Sequence, residues 1–382
     1  MTTRPDTDLS RRRFLQTASG ALIAAPLASR ATPAAGQVPD VKLPDIPGRK
    51  LGWALVGLGN LAINQLMPAF AKCQHSKLVG LVSGRPEKAK HLAQVYGVDP
   101  KNIYTYDNYD TIANNPAIDV IYIVLPNSMH PEYTIRALKA GKHVLCEKPM
   151  ANTPPECEQM IAAAKAADRK LMIGYRVRYE PYNQTMIKMA HDSSEMGPTR
   201  VILADAGFNI GNPNQWRLKK AMAGGGSLMD IGIYALNAAR YLSGEEPVAI
   251  NAMMHSTPND PRFKEVEENI TFQLQFPSGI LANCTSSYGV NLGRFRVFKP
   301  RGSFELDPAS SYTGLRMRVF RGGSIEERIL PQRDHFALEM DHLSQCVMNG
   351  TEPLTPGEEG LKDLTAMMAI YEAARSGKTA RL

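Results

Sequence analysis

One stretch decides the fold of the first half of this chain: Leu51-Gly52-Trp53-Ala54-Leu55-Val56-Gly57-Leu58-Gly59-Asn60-Leu61-Ala62. The apolar run over 51–56 predicts a buried strand, and the G-x-G-x-x-A pattern after it is typical of a strand-to-helix turn that binds a dinucleotide. Gly57 permits the tight turn, Gly59 lets the backbone approach a pyrophosphate, and Ala62 keeps the helix close to the strand. The helix N-terminus attracts the negative charge. We therefore expect Gly57–Ala62 to bind a dinucleotide.

Downstream of this stretch, short apolar runs alternate with amphipathic segments. The predicted strands cover 51–56, 78–82, 120–125, 143–146 and 170–174, and the predicted helices cover 63–72, 87–96, 131–140 and 155–167. This alternation predicts a doubly wound parallel sheet, a Rossmann domain over 51–174. Helical patterns at 179–190, 228–242, 336–349 and 357–376 then flank alternating runs at 249–255, 267–276, 280–288 and 295–298. The predicted class is α/β, with a C-terminal α+β domain over 175–382 built on a large, mostly antiparallel sheet.

The N-terminus carries a second signal. It combines Ser10-Arg11-Arg12-Arg13-Phe14-Leu15-Gln16 with an apolar run over 18–28, the pattern of a twin-arginine export signal. An ordinary secretory signal is the alternative. The apolar run is shorter than the ~20 residues that span a bilayer. We expect a signal peptide over 1–35 and a proline-containing arm over 36–50. The mature protein is then periplasmic, without stable membrane association.

The composition excludes several functional classes. Of the 382 residues, 43% are hydrophobic and 21% are charged, as in ordinary globular proteins. The net charge of +7 lies partly in the leader, and the other basic residues are dispersed, which argues against a nucleic-acid partner. The five cysteines (Cys73, Cys146, Cys157, Cys284 and Cys346) lie far apart and form no C-x-x-C pair. We expect neither disulfides nor a metal site.

The end of the second predicted strand indicates which dinucleotide binds. An NAD site places an acidic residue there to bind the ribose 2′-hydroxyl. This strand ends instead in Ser83-Gly84-Arg85, with Lys88 one helical turn further on. A hydroxyl and two cations suit a 2′-phosphate, so we expect NADP. The alternative is a solvated helix start, at which Arg85 and Lys88 contact only water and Glu87.

Two further motifs follow the next strands, at the edge where parallel sheets bind ligands. Leu125-Pro126-Asn127-Ser128-Met129-His130 comes first, and Cys146-Glu147-Lys148-Pro149 comes second. Pro149 turns the chain away, so Lys148 is expected to project beside the nicotinamide. The alternative is a surface lysine before a turn.

A third motif supplies acid–base groups: Gly224-Gly225-Gly226-Ser227-Leu228-Met229-Asp230-Ile231-Gly232-Ile233-Tyr234. The glycines are expected to make a flexible start to a helix, on which Asp230 and Tyr234 share one face. A nearby ammonium group lowers the pKa of a phenol. Lys148 and Tyr234 are therefore predicted to form the acid–base pair for the oxidation of a hydroxyl group, with Asp230 as the third catalytic residue. The alternative for Tyr234 is a core tyrosine.

In this order, the motifs G-x-G-x-x-A, E-K-P and D-x-G-x-Tyr resemble the family of glucose–fructose oxidoreductase, inositol dehydrogenase and related sugar dehydrogenases, from about Leu51 to Ser376. Most members carry His where this chain has Tyr234. The tyrosine, the leader, and the segments 125–128, 171–176 and 215–218 resemble the periplasmic branch of the family, which holds NADP without releasing it. The resemblance implies a homo-oligomer, either a dimer or a tetramer.

The resemblance also implies roles for individual residues. Arg176, Trp216, Arg217 and Tyr312 are expected at the cofactor, and Tyr175 and Tyr179, with Asp230 and Tyr234, are expected to line the sugar site. The alternative for the aromatic residues over 175–182 is packing. The complete predicted cofactor set is Gly57, Leu58, Gly59, Asn60, Leu61, Ala62, Ser83, Gly84, Arg85, Lys88, Tyr106, Leu125, Pro126, Asn127, Ser128, His130, Glu147, Lys148, Arg176, Trp216, Arg217 and Tyr312.

The leader and the dinucleotide site together predict the type of reaction. A nicotinamide enzyme that leaves the cytoplasm loses access to the cofactor pool, so its NADP must be loaded before export and must then stay bound. Such a cofactor has to be reduced by one substrate and reoxidised by a second one. The predicted function is an NADP-containing aldose oxidoreductase that makes a lactone and reduces a second sugar. The alternatives are an NADP-dependent sugar dehydrogenase with exchangeable cofactor and a non-catalytic NADP- or sugar-binding sensor.

Overall fold

The computed structural model describes residues 48–382, of which residues 51–174 contain a six-stranded parallel sheet. Its strand order is β3-β2-β1-β4-β5-β6, the order of a dinucleotide-binding Rossmann sheet. The central strand β1 is buried along its whole length, because helices cover both faces of the sheet. The strands are β1 (Leu51–Val56), β2 (Ser76–Val82), β3 (Ile103–Tyr104), β4 (Val120–Ile123), β5 (His143–Glu147) and β6 (Leu171–Gly174).

Helices connect these strands much as the sequence predicts. A π-helical turn (Ala62–Leu66) leads into α1 (Met67–Phe70), and α2 (Pro86–Tyr96), α3 (His130–Lys139) and α4 (Pro154–Ala167) follow. The five predicted strands and four predicted helices of this half are confirmed within a few residues. The short strand β3 was missed because two residues are too few to show an alternating pattern.

The second half is organised around a nine-stranded sheet of order β14-β13-β12-β11-β7-β10-β9-β8-β15. All neighbouring strands are antiparallel except β7 and β10, so the predicted fold class is confirmed. The strands are β7 (Val201–Gly207), β8 (Ala249–His255), β9 (Asn269–Gln275), β10 (Leu281–Ser287), β11 (Leu292–Lys299), β12 (Gly302–Leu306), β13 (Met317–Arg321), β14 (Ser324–Arg328) and β15 (Ala380–Arg381). Strands β7 and β12 to β15 are not among the strands predicted from the sequence pattern.

Helices cover one face of this sheet and link it to the Rossmann sheet. They are α5 (Pro181–His191), α6 (Lys220–Ala223), a π-helical turn (Leu228–Gly232) with α7 (Ile233–Ser243), α8 (His335–Asn349) and α9 (Gly357–Ser376). Helix α8 returns to the Rossmann sheet, where Phe336, Met340 and Leu343 share a core with Trp53. The Trp53 indole Nε1 donates to Ser344 Oγ at 3.0 Å. Helix α8 is thus anchored to the Rossmann sheet.

The predicted signal peptide (1–35) and the predicted arm as far as residue 47 lie outside the described residues. Across residues 48–382, no helix has the combined length and hydrophobicity that crossing a membrane requires. The same part of the chain contains no group of three or more His, Cys, Asp and Glu side chains arranged to hold a metal ion.

Candidate active site

The glycine loop between β1 and α1 has the geometry that a bound dinucleotide requires. Gly57 has φ +94°, and a Cβ there would overlap the carbonyl oxygen of Val124. A Cβ on Gly59 would meet nothing within 4 Å, so this side of the loop is open where a pyrophosphate would lie. The remaining fingerprint residues comprise buried Leu58 and Ala62, exposed Asn60 and half-buried Leu61. The loop therefore fits the predicted nucleotide.

The residues after β2 place two cations side by side. Arg85 is exposed, whereas the Lys88 ammonium donates to the carbonyl oxygen of Leu58 at 2.6 Å, which ties it to the glycine loop. Burial, with a further contribution from Arg85, lowers the pKa of Lys88. The neighbouring Glu87 pairs with Lys90 at 2.9 Å. An anion between Arg85 and Lys88 would relieve their repulsion, so these residues fit a 2′-phosphate.

Ser83 and Tyr106 complete this end of the nucleotide site. Ser83 is buried, and its Oγ accepts a hydrogen bond from the Arg85 backbone N–H at 3.1 Å. A Cβ on Gly84 would lie 3.1 Å from the Tyr106 ring, which shows that the ring packs against the glycine. The residues that are predicted to select NADP over NAD thus lie close together.

The motif after β4 contributes mainly structural contacts. Both ring nitrogens of buried His130 lie 2.8 Å from backbone carbonyl oxygens, those of Pro149 and Leu125. Burial lowers the pKa of His130. Asn127 is also buried and donates to the Ala223 carbonyl at 2.9 Å. Of the other predicted residues here, Leu125 is buried, Pro126 is half-buried and Ser128 is exposed. The structure therefore places His130 between two turns rather than at the reacting atoms.

Lys148, Asp230 and Tyr234 come together at the carboxyl edge of the sheet. The Lys148 Nζ donates to the Asp230 backbone oxygen at 2.5 Å and lies 3.4 Å from its Oδ1. The same Nζ is 5.0 Å from the centroid of the Tyr234 ring. Tyr234 is buried, at 6% exposure. The three predicted catalytic residues thus form one cluster. Lys148 follows β5 of the Rossmann sheet, whereas Asp230 and Tyr234 lie on the helical segment between β7 and β8 of the second sheet.

Asp230 is the centre of the charges in this cluster. Its Oδ2 is 2.9 Å from Arg217 Nε and accepts a hydrogen bond from the Tyr288 hydroxyl at 3.0 Å. Burial acts to raise the pKa of Asp230, but Arg217 and Lys148 outweigh it and hold the pKa below its usual range. Asp230 is therefore ionised at neutral pH. Tyr288 is not among the predicted site residues, because no motif marks a tyrosine just after β10.

One prediction about Tyr234 is wrong. Lys148 was expected to lower the pKa of this phenol, but burial raises it to about 12, and Glu147, Glu339 and Asp230 add to the rise. The ammonium group lies over the ring and bonds to Asp230 instead of to the phenol oxygen. Tyr234 is consequently protonated at neutral pH and is suited to donate a proton.

The residues assigned by resemblance to the cofactor separate into two groups. Arg176 is buried, with its guanidinium carbon 5.1 Å from the Tyr234 ring centroid and 4.5 Å from that of Tyr312. Arg217, besides its ion pair with Asp230, stacks on Trp216 at 4.6 Å. Arg176 and Tyr312 thus flank the phenol, and Arg217 and Trp216 flank the carboxylate.

Tyr175 and Tyr179, which are expected to line the sugar site, lie in packed surroundings. Tyr175 is completely buried, and the carboxyl groups of Asp363 and Glu359 help to raise its pKa, burial being the main cause. The Tyr179 hydroxyl contacts Thr355 Oγ1 at 2.8 Å. Tyr175 and Tyr179 thus pack against the C-terminal segment, whereas Arg176, between them in the chain, lies against the Tyr234 ring.

The three glycines before Asp230 are needed for packing, not for flexibility. A Cβ on Gly225 would collide with the Tyr371 hydroxyl, and one on Gly226 would collide with the backbone of Glu267. The buried Glu267 carboxylate accepts hydrogen bonds from the Gly226 and Leu228 N–H groups at 2.8 and 2.9 Å. This anchor, which the sequence analysis missed, fixes the turn that aims Asp230 and Tyr234 at Lys148.

Comparison with known proteins defines the family. Residues 51–175 match the model described as the oxidoreductase family with an NAD-binding Rossmann fold, and residues 185–305 match the GFO/IDH/MocA C-terminal domain. The D-xylose 1-dehydrogenase [NADP(+)] of Haloarcula marismortui is 32% identical over 86% of this chain and 92% of its own length. The chain belongs to the GFO/IDH/MocA oxidoreductase family. The resemblance predicted from the motifs is confirmed.

Solved structures agree with this assignment. The aldose-aldose oxidoreductase of Caulobacter crescentus, solved with glycerol, is 54% identical and superposes with a TM-score of 0.86 over 87% of this chain and all of its own. A 3-ketoreductase of Actinomadura kijaniata, solved with NADP and TDP-benzene, is 22% identical. It covers 85% of this chain and 98% of its own, with a TM-score of 0.76, and shares the fold.

Proposed function

We propose that this protein is an exported, NADP-containing aldose oxidoreductase. It oxidises an aldose to its lactone and reduces a second sugar with the same tightly bound cofactor. The observation that carries the proposal is the cluster of Lys148, Asp230 and Tyr234 at the carboxyl edge of the sheet, the edge at which the glycine loop also follows its strand. The 54% identity to an aldose-aldose oxidoreductase and the 32% identity to an NADP(+)-dependent xylose dehydrogenase support it.

NADP, when bound, supplies the acceptor and then the donor of a hydride. In its ionised form, Tyr234 takes the proton from the C1 hydroxyl of the aldose, and the resulting phenol later gives that proton to the carbonyl oxygen of the second sugar. Lys148 orients the reacting oxygen, and the carboxylate of Asp230 holds the ammonium group in place. Arg217 and Tyr288 keep that carboxylate ionised and fixed.

The choice of NADP rests on Ser83, Arg85 and Lys88, where no acidic side chain occupies the end of β2. The retention of NADP rests on the proposed export. The sequence Ser10–Gln16 carries the twin-arginine pattern, and this route transports folded proteins. Replacement of Arg11 and Arg12 by Lys is expected to keep the protein in the cytoplasm, which cell fractionation measures. Continued export of the doubly substituted protein would contradict the proposed route.

A homo-oligomer is proposed through the open face of the nine-stranded sheet. The side chains on this face are mostly uncharged, among them exposed Met253 and Leu281 and the polar residues Gln273 and Asn283. A low density of charge is typical of surfaces that pair. Sedimentation of the mature protein distinguishes a monomer, which would contradict this proposal, from a dimer or tetramer.

One absorbance experiment tests the central proposal. The protein is purified without added nucleotide, dialysed, and its near-ultraviolet spectrum is recorded before and after an aldose is added. We expect the absorbance band of reduced nicotinamide to appear with the aldose and to disappear with a second sugar. Protein without nucleotide that turns over only with added NADP would be a dehydrogenase with exchangeable cofactor. Bound nucleotide that no sugar reduces would indicate a sensor.

A further inference from the structure

Two buried carboxyl groups next to the active-site cluster have no role in the steps above. Glu147 ends β5, and Glu339 lies on α8 with no exposed surface. The hydroxyl of Tyr122, on β4, lies between them, 2.7 Å from Glu147 Oε1 and 3.4 Å from Glu339 Oε2. Three secondary-structure elements thus place two acids against one phenol in the interior.

The hydrogens in this arrangement can be counted. A tyrosine hydroxyl has one hydrogen to donate. The hydroxyl can donate to either acid but not fully to both. When it donates along its shorter contact, to Glu147, a hydrogen bond between Tyr122 and Glu339 requires a hydrogen on Glu339. The other oxygen of Glu339, Oε1, is buried and has no hydrogen-bond partner among residues 48–382. An ionised carboxylate with a bare oxygen in such a place is costly, whereas a carboxylic acid is tolerated.

The charges around Glu339 agree with this count. Burial, reinforced by Glu147, raises its pKa well above the usual range, although Arg176 acts in the opposite direction. The titratable and charged groups that face Glu339 from the neighbouring elements are Tyr122, Glu147, Arg176, Tyr179 and Tyr234. Arg176 is the one cation in this set, and it is shared with the rings of Tyr234 and Tyr312.

We propose that Glu339 is a positioning residue, held as a neutral carboxylic acid that donates to Tyr122, which in turn donates to Glu147 beside Lys148 and Tyr234. This role rests on the proposed function. When Glu339 loses its proton at alkaline pH, the chain of hydrogen bonds loses its first donor. A further negative charge, beside those of Asp230 and Glu147, then faces Tyr234, and the phenol gives up its proton less readily.

Glu339→Gln tests this role, because the amide N–H replaces the carboxylic acid as donor but cannot ionise. The assay is the single-turnover reduction of bound NADP by an aldose, measured across pH. We expect the ratio of variant to wild-type rate to rise by about tenfold from neutral to alkaline pH, as for a like charge that shifts a neighbouring pKa by ~1 unit. Glu327→Gln, an exposed glutamate on β14, is the matched control with a constant ratio. A constant or falling ratio for Glu339→Gln overturns the proposal.

A spectroscopic measurement separates this proposal from the proposed function. At neutral pH the infrared spectrum of the purified protein should contain the carbonyl band of a protonated carboxylic acid that Glu339→Gln lacks. Tyr122→Phe keeps both carboxyl groups and removes the acceptor, so the band should shift. These results do not depend on turnover, so they stand even if no sugar reduces the cofactor. The assignment of Glu339 as a neutral acid would be overturned by identical bands in the wild type and both variants. If Glu339→Gln does not fold, identical bands in the wild type and Tyr122→Phe would overturn it.

Discussion

Replacing Tyr234 by Phe removes a single atom from the cluster and leaves its packing intact. The ring of Tyr234 lies 5.0 Å from the Lys148 ammonium and 5.1 Å from the Arg176 guanidinium carbon. Phenylalanine keeps both cation–π contacts, which are worth about 0.5–2 kcal/mol each. We therefore expect the variant to fold, to melt near the wild-type temperature and to retain NADP.

Turnover should fall far more than stability. A positioned acid–base group contributes about 10²–10⁴ in rate, and in Tyr234→Phe no other phenol replaces the lost one. The raised pKa of Tyr234, about 12, sets the sign of the pH dependence. Below that value the phenolate fraction, and with it aldose oxidation, grows about tenfold per pH unit, whereas proton donation to the second sugar stays constant. The variant should lose this slope.

The assay is the single-turnover reduction of bound NADP, followed by the absorbance of the reduced nicotinamide. Tyr241→Phe is the matched control, because Tyr241 is buried on the same helix and its hydroxyl donates to Asn183 Oδ1 at 3.0 Å. This control should lose about 1 kcal/mol of stability and keep its turnover. Near-normal turnover in Tyr234→Phe, or an unchanged pH slope, would refute the assignment of the proton to the phenol.

Five more variants test the glycine loop, the cofactor preference and the ion pairs of Asp230. Gly57→Ala should destabilise the fold by about 1–3 kcal/mol or more because Gly57 has a positive φ. In Gly59→Ala the added Cβ meets no protein atom, so this variant should melt at the wild-type temperature but lose NADP. Equal melting temperatures of the two variants would contradict these different roles. Arg85→Ala should weaken the binding of NADP, but not of NAD, by about 1–3 kcal/mol. Lys88→Ala should weaken the binding of both nucleotides, because it also removes the hydrogen bond to a carbonyl oxygen of the glycine loop. Titration with both nucleotides measures the difference, and an equal loss for Arg85→Ala would show that it does not contact the 2′-phosphate. Asp230→Asn should lower both turnover and melting temperature, because the half-buried Lys148 and Arg217 lose their charge partner, a change worth about 1–3 kcal/mol. An unchanged melting temperature would show that the ion pairs contribute nothing.

Local patterns in the sequence determined the Rossmann half almost completely. The run over 51–56 and the glycines after it can form only a buried strand and a tight turn, because Gly57 needs a positive φ and has no room for a side chain. The ends of the parallel strands necessarily meet at one edge, so Lys148 could be placed beside the nucleotide from its position after β5. In the second half, β9 shows its alternation clearly, whereas β7 carries Asp205 within it and was missed.

Only the tertiary structure decided the electrostatics of the site. Tyr288 reaches Asp230 from 58 residues away, and Glu339 reaches Tyr122 from 217 residues away, and no periodicity links such positions. The pKa of Tyr234 depends on the burial of its phenol and on the surrounding carboxyl groups. The Lys148 ammonium group, which the sequence motifs predict to lower this pKa, does not determine it. Sequence patterns indicate which side chains share one face of a helix or strand. The desolvation and the distant charges that set the pKa of a side chain arise only when the helices and strands pack together.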